Sequence, residues 1–279
     1  MLKRILVPLD DSPYSKAAML HASRMASRTG AEITCLAVID KPGIEHREPV
    51  PAGGQEFLEH KHKKLLEQAR EKSEHMLENF STTIRELGEH TTNQLTLTGV
   101  PSEVIIKESH RHDILVMGQK SSYRCTSEAR PFQTLEKTAR AVPRPMIVVP
   151  ETLPENSSGI LMAADGSDVF SRAMQMYLMM GLTGGRKIKV LSVNKVLSRA
   201  QANCEEAGSY LESHGMEFET LPIQSTQRPR DFILAYLKTN TPDVMIMGAY
   251  GDSLLKEFFY GSLTEKIIEN SPVPLFICH

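Results

Sequence analysis

Three glycines and two hydroxyl residues near the end of the chain carry its sharpest chemical signal. Gly248-Ala249-Tyr250-Gly251 follows an apolar run, Val244–Met247, and nine residues then separate Gly251 from Gly261-Ser262. The pattern reads G-x2-G-x9-G-S, and Leu263–Asn270 continues with helical spacing. These residue types suit an anion. Glycine lets the backbone approach a phosphate closely and adopt positive φ. The N–H groups that open the following helix point at the anion, and the helix dipole adds to the attraction. Ser262 and Thr264 add hydroxyl donors. The pattern is not a Walker A loop, because no G-x4-G-K-[ST] occurs, and no GxGxxG follows the first strand of either half.

A carboxylate belongs with these glycines. Asp165 ends an apolar strand, Ile160–Ala164, in the same half of the chain. Ligands of open parallel sheets bind beyond the carboxyl ends of the strands, where the first and fourth strands are neighbours at the switch point. There Asp165 would face the glycine loop and accept from a ribose hydroxyl or an adenine amine. The competing reading is structural: loop glycines, with Asp165 or Ser167 as an ordinary helix N-cap.

The elements that must position these groups occur twice. ILVPLDDS (residues 5–12) recurs as ILMAADGS (160–167), and DILVMG (113–118) as DVMIMG (243–248). Pro143-Arg-Pro145 before Met146–Val149 matches Pro272-Val-Pro274 before Leu275–Cys278. Helical stretches follow each first strand, Pro13–Thr29 and Asp168–Leu182, with Gly30 and Gly184-Gly185 as stop signals. Second strands follow at Ile33–Ile39 and Ile188–Val193, and third strands at Leu95–Leu97 and Phe218–Ile223. Helices over Ser102–His110 and Arg230–Thr239 precede the repeated Asp strands. The stretch from Asp10 to Gly118 exceeds that from Asp165 to Gly248 by 25 positions. The excess holds a charged helix, Gln55–Leu87, with one apolar stripe, against Leu197–Ser213 in the second half. The expected fold class is α/β: two doubly wound halves, each with five parallel strands and four helices. The linker ETLPENSS (151–158) places the domains at 1–152 and 153–279.

Composition narrows the function classes. At 279 residues with 41% hydrophobic and 24% charged residues, the chain is globular rather than disordered or fibrous. Its net charge is -2, aromatic residues are 6% and tryptophan is absent, which argues against nucleic-acid partners. The run Ile5–Leu9 stops at Asp10-Asp11, so it reads as a buried strand and not an export signal. No run is long enough to span a membrane. Cys35, Cys125, Cys204 and Cys278 form no CxxC pair and read as free thiols of a reducing cytosol. Cys35 and Cys278 fall in apolar runs and are expected in the core.

With these motifs assembled, the sequence resembles the universal stress protein family in its tandem two-domain form. ILMAADGS, DVMIMG, GAYG-x9-GSLTEKI and SPVPLFIC carry the resemblance, with ILVPLDDS and DILVMG in the first half. It implies a Rossmann-like, adenine nucleotide alpha hydrolase-like sheet of order 3-2-1-4-5, and ATP or AMP binding in some branches. Carried over, Asp165 and Val193 flank the adenosine, and Met247 and Gly248 lie at the ribose. Gly251, Gly261, Ser262 and Leu263 hold phosphates; Ala163, Tyr250 and Thr264 complete the expected set. A Mg²⁺ would be held mainly by ligand phosphates. The resemblance also implies pairing of Met146–Val149 with Leu275–Cys278 within one chain, a pseudo-dimer, and leaves a homodimer open.

The first half departs from the pattern. Asp10 and Gly118 are present, but Ser121 stands where the second glycine belongs. Phe132 and Gln133 stand opposite Gly261 and Ser262. Side chains at both glycine positions should obstruct a triphosphate. The first site is therefore expected to be degenerate, with one nucleotide per chain. Lys120 and Arg124 read as a solvated loop.

Weaker candidates resolve to structural roles. His60 and His62 read as solvent-facing, because an i, i+2 pair shares no helix face. His110 and His112 suit a helix end. No metal site of protein ligands is expected. Met174–Met180 reads as core filler. Glu257 and Glu265 read as solvated carboxylates. The sequence thus points to a cytoplasmic stress-response protein that binds ATP, ADP or AMP in its second half. No general base is evident, so slow ATP hydrolysis or adenylyl transfer is the second reading. A non-nucleotide protein-interaction module is the third.

Overall fold

The structure is a computed structural model that describes residues 1–45, 54–123, 133–155, 158–249 and 262–278. The chain divides into two compact units. The first is Lys3–Val142; the second is Pro143–His279 with Met1–Leu2.

In the first unit, β1 (Arg4–Leu9) leads into α1 (Pro13–Thr29), and β2 (Glu32–Ile39) into a single turn, α2 (Lys41–Ile44). The long α3 (Gln55–Leu87) precedes β3 (Thr92–Thr98), α4 (Pro101–Ser109), β4 (Ile114–Gly118) and α5 (Gln133–Ala141). The strand order is β3-β2-β1-β4, and every described pairing is parallel. β1 and β4 are almost wholly buried, whereas β3, with Thr and Asn on its edge, is half exposed. The α3 stripe is buried only over its second half, at Met76, Leu77, Phe80 and Ile84. Phe57 near its start is 76% exposed.

The second unit begins with β5 (Met146–Val149), then β6 (Ile160–Ala163), α6 (Asp168–Met179), β7 (Ile188–Asn194) and α7 (Leu197–Ser213). β8 (Phe218–Gln224), α8 (Pro229–Thr239), β9 (Val244–Gly248), α9 (Ser262–Asn270) and β10 (Leu275–Cys278) follow. Its order is β5-β10-β9-β6-β7-β8. The second half's own strands therefore run 3-2-1-4-5, all parallel, which is the doubly wound α/β order. Strand order reverses at β6, the switch point of a doubly wound sheet. β5 pairs antiparallel with β10, Ile147 opposite Phe276, and this pairing places the end of the first repeat in the second unit.

The helix stops show where pattern reading and packing part. Gly30 ends α1 in the left-handed conformation, its N–H donating to the Ala26 carbonyl at 2.8 Å. In the second half, Gly184-Gly185 is the expected stop, but α6 ends at Met179. Gly181, with φ of 73°, makes the turn instead. The segment beyond is held by Arg186, which donates to the carbonyls of Leu182 and Thr183 and to the Tyr177 hydroxyl, and pairs with Asp243 at 3.3 Å. The methionines here divide: Met174 of α6 and Met180, its C-cap, are buried, while Met179 is 62% exposed.

The repeated aspartates that open the fourth strands lie at the amino ends of the sheets. Asp113 accepts the backbone N–H groups of Lys3 and Arg4, at 2.8 and 2.9 Å, and so fastens β4 to the start of β1. Asp243 holds Arg186.

Cys35 and Cys204 are buried free thiols. Burial pushes the Cys35 thiol up to about 12 and raises that of Cys204. Cys278 is half-buried, less enclosed than its apolar run suggests, and Cys125 lies outside the described residues. Among the described residues, no helix is long and apolar enough to cross a membrane.

His112 takes the helix-end role in a buried form. It is 2% exposed, and its Nδ1–H donates to the Glu108 carbonyl at 3.0 Å, near the C-terminus of α4. Its Nε2 is buried with no hydrogen-bond partner. Burial, the largest cause, lowers its pKa, so the ring is neutral when folded. A folded pKa below the unfolded one gives stability that is full above the unfolded value, about 6.5, and is lost as pH falls. Between pH 7.5 and 5.5, the urea midpoint of the wild type should therefore fall further than that of His112→Leu; equal falls would contradict this assignment.

Candidate functional site

The carboxyl ends of β6, β7 and β9 are adjacent in the sheet, with Ala163 opposite Leu191 and Met162 opposite Ile246. Asp165 lies two residues beyond β6. Its Oδ1 accepts the Ser167 backbone N–H at 3.0 Å and the Ser167 hydroxyl at 2.6 Å. Ser167 Oγ in turn accepts the Phe170 N–H at 3.1 Å, which caps α6. Of the two candidate caps, Ser167 is thus the N-cap, and Asp165 orients it. The Asp165 carboxylate is exposed, and Ser167 supplies every described hydrogen bond to it.

Gly248 ends β9 against the first turn of α6. A Cβ built there would lie 2.7 Å from the Phe170 nitrogen and 3.0 Å from the Val169 carbonyl carbon. Both are backbone atoms, so only glycine permits this approach. Gly118 stands against Tyr14 of α1 in the same way, a Cβ falling 2.8 Å from the Tyr14 carbonyl carbon. The glycine that closes each fourth strand is therefore required by helix packing.

The structure brings Ala163, Asp165, Val193, Met247 and Gly248 to one end of the sheet. Ala163 and Val193 are half-buried; Met247 is buried. Asn203 of α7, a residue the motifs do not single out, donates to Ser192 Oγ beside Val193 at 3.1 Å. Tyr250, Gly251 and Gly261 lie outside the described residues. Ser262, Leu263 and Thr264 form the first turn of α9, with only their backbone among the described parts. The helix thus starts at the serine of the G-x2-G-x9-G-S pattern.

The first half keeps the frame and fills it differently. Asp10 Oδ1 accepts the Ser12 N–H at 3.1 Å and the hydroxyls of both Ser12 and Ser15. Asp10 Oδ2 accepts the backbone N–H of Ser122, beyond β4. Ser12 caps α1, as Ser167 caps α6. Ser121 is fully buried, its Oγ 3.2 Å from Ser15 Oγ and 3.4 Å from Ser12 Oγ. Tyr123 is 5% exposed and donates its hydroxyl to the Pro8 carbonyl of β1 at 3.2 Å. Burial first, then the Asp10 charge, hold the Tyr123 phenol well above its usual pKa, so it is a donor across the physiological range. Gln133 is half-buried at the start of α5; Phe132 and Arg124 lie outside the described residues. Ser12 closes the repeated ILVPLDDS motif, whereas Tyr123 and Ser15 lie outside it. Their signal is the hydroxyl-rich SPYS after Asp10 and SSY after Gly118.

Comparison with known proteins agrees with this double construction. The family model described as "Universal stress protein family" matches residues 1–150 and again 158–279. The universal stress protein Slr1230 of Synechocystis is 23% identical over 289 residues, covering 98% of this chain and 99% of the relative. The universal stress protein MJ0577 of Methanocaldococcus jannaschii is 27% identical over 125 residues, 42% of this chain and 76% of the relative. Among solved structures, a universal stress protein from Archaeoglobus fulgidus has the same fold. Its TM-score is 0.74 at 20% identity, covering 99% of this chain and 97% of that one. Two successive family matches, spanning nearly every residue of a chain whose halves repeat one α/β plan, place this protein in the universal stress protein family.

Proposed function

We propose that this chain is a cytoplasmic stress-response regulatory protein that binds an adenine nucleotide, ATP, ADP or AMP, through its second half. The first half does not seat a triphosphate. The observation that carries the reading is the difference between the two repeated aspartates. Asp165 is exposed at the strand ends, beside the half-buried Val193, in the half that retains the three glycines. Asp10 is engaged by Ser12, Ser15 and Ser122 of its own unit.

In this reading Asp165 accepts from the ribose or from the adenine amine, and Val193 and Ala163 pack against the adenosine. The first N–H groups of α9 donate to phosphate, with the helix dipole favouring the negative charge. Because backbone N–H groups hold the anion, the chain needs no basic excess. Any Mg²⁺ would sit on the phosphates. The buried free thiols Cys35 and Cys204 suit a reducing compartment.

Acid extraction of the freshly purified protein should release an adenine nucleotide, and calorimetry should find one ATP or AMP per chain. A folded sample that binds neither would refute the reading. Asp165→Ala should weaken binding about tenfold or more, the loss of a hydrogen bond to a charged group. Gly261→Phe, which copies the residue of the first half, should abolish phosphate-dependent affinity while leaving adenosine affinity nearly intact; full ATP affinity in that variant would exclude the glycine loop as the phosphate seat.

A further inference from the structure

The same two acceptors are answered differently in the two halves. The repeat ILVPLDDS and ILMAADGS aligns Pro8 with Ala163 and Asp10 with Asp165. In the second half these positions are the half-buried end of β6 and an exposed carboxylate. In the first half both are taken by one short segment beyond β4. The Tyr123 hydroxyl donates to the Pro8 carbonyl, and the Ser122 N–H donates to Asp10. Ser121, Ser12 and Ser15 close the remaining space with their hydroxyls.

We propose that Tyr123 is a built-in ligand of the first half. Its ring fills the place that corresponds to the nucleoside seat of the second half, and its removal exposes a second seat for a neutral nucleoside. The correspondence rests on the roles proposed for Asp165 and Ala163 in the second half.

The chemistry matches a nucleoside better than a nucleotide. A buried phenol presents a flat apolar ring with one donor at its far edge, and that donor meets a strand carbonyl. A purine with an exocyclic amine presents the same features. The charged end of a nucleotide finds no counterpart, because Ser121 replaces the second glycine and the Asp10 carboxylate stands close by. Aromatic side chains bury large apolar area, so truncating one at a closed site leaves a cavity that collapses only in part. Such cavities take up ligands of the lost shape.

The test is equilibrium dialysis of the full chain against radiolabelled adenosine. Tyr123→Ala should bind one more equivalent per chain than the wild type, and Tyr123→Phe, which keeps the ring in place, should bind no more than the wild type. Phenol should raise the melting temperature of Tyr123→Ala and leave that of the wild type unchanged. A folded Tyr123→Ala with no added equivalent overturns the proposal, as does a gain in Tyr123→Phe. Should Tyr123→Ala fail to fold, phenol must restore folding by refilling the site; a chain that stays unfolded in phenol overturns the proposal too. A wild type that takes up no adenosine at all counts against the second-half reading, while the equivalent gained by Tyr123→Ala still decides this one.

Discussion

In each half, the backbone of the first helix lies against a glycine that closes the fourth strand. Gly118 faces Tyr14, and Gly248 faces Val169 and Phe170, at distances where a side-chain carbon would collide with main chain. Main-chain atoms on both sides leave little room for relief, so the contact sets where α1 and α6 begin. Once a helix begins there, its N-cap must sit over the ends of the first and fourth strands. The Asp-x-Ser turn is the consequence: Ser12 and Ser167 cap the helices, and Asp10 and Asp165 hold the caps. A carboxylate at the switch point thus follows from helix packing.

That frame is shared, and the halves diverge beyond the fourth strand. After Gly118 the chain turns inward. Ser121 and Tyr123 are buried; the Tyr123 hydroxyl donates to the Pro8 carbonyl, and the Ser122 N–H donates to Asp10. After Gly248 the sequence keeps the glycines that backbone-mediated phosphate binding requires, and α9 starts at the serine that ends the pattern. One fold can therefore carry one strand-end carboxylate engaged by its own chain and another that is exposed.

Much of the fold is legible in the sequence because its signals are local and periodic. Near-continuous apolar runs mark buried parallel strands. Gly30 marks a helix end, and the repeats of Asp, Gly and Pro-x-Pro mark two copies of one plan. Reading fails where a non-local partner decides. Gly184-Gly185 reads as the stop of α6, yet Gly181 makes the turn, and Arg186, paired with Asp243 57 residues away, holds the Leu182 and Thr183 carbonyls beyond it. The short α2 escapes notice because one helical turn has no period, although Asp40 caps it through the Gly43 N–H. His112 reads as a helix-end residue and is one, but its enclosure, with an unpartnered Nε2, depends on packing distant in sequence.

The candidate site divides along the same line. The sequence by itself determined the family, the α/β class, the double plan, the glycine pattern and the two aspartates, because residue type and spacing suffice for those. Only the tertiary structure decided what each aspartate has left to offer. Asp10 and Asp165 are the same residue in the same motif, and the motif alone does not say which is engaged. Hydrogen-bonding capacity is set by neighbours brought from more than a hundred residues away, as Ser122 is brought to Asp10 and Tyr123 to Pro8. Tertiary structure also decided that Gly118 and Gly248 serve packing, since the atoms that exclude a side chain belong to another element of the fold.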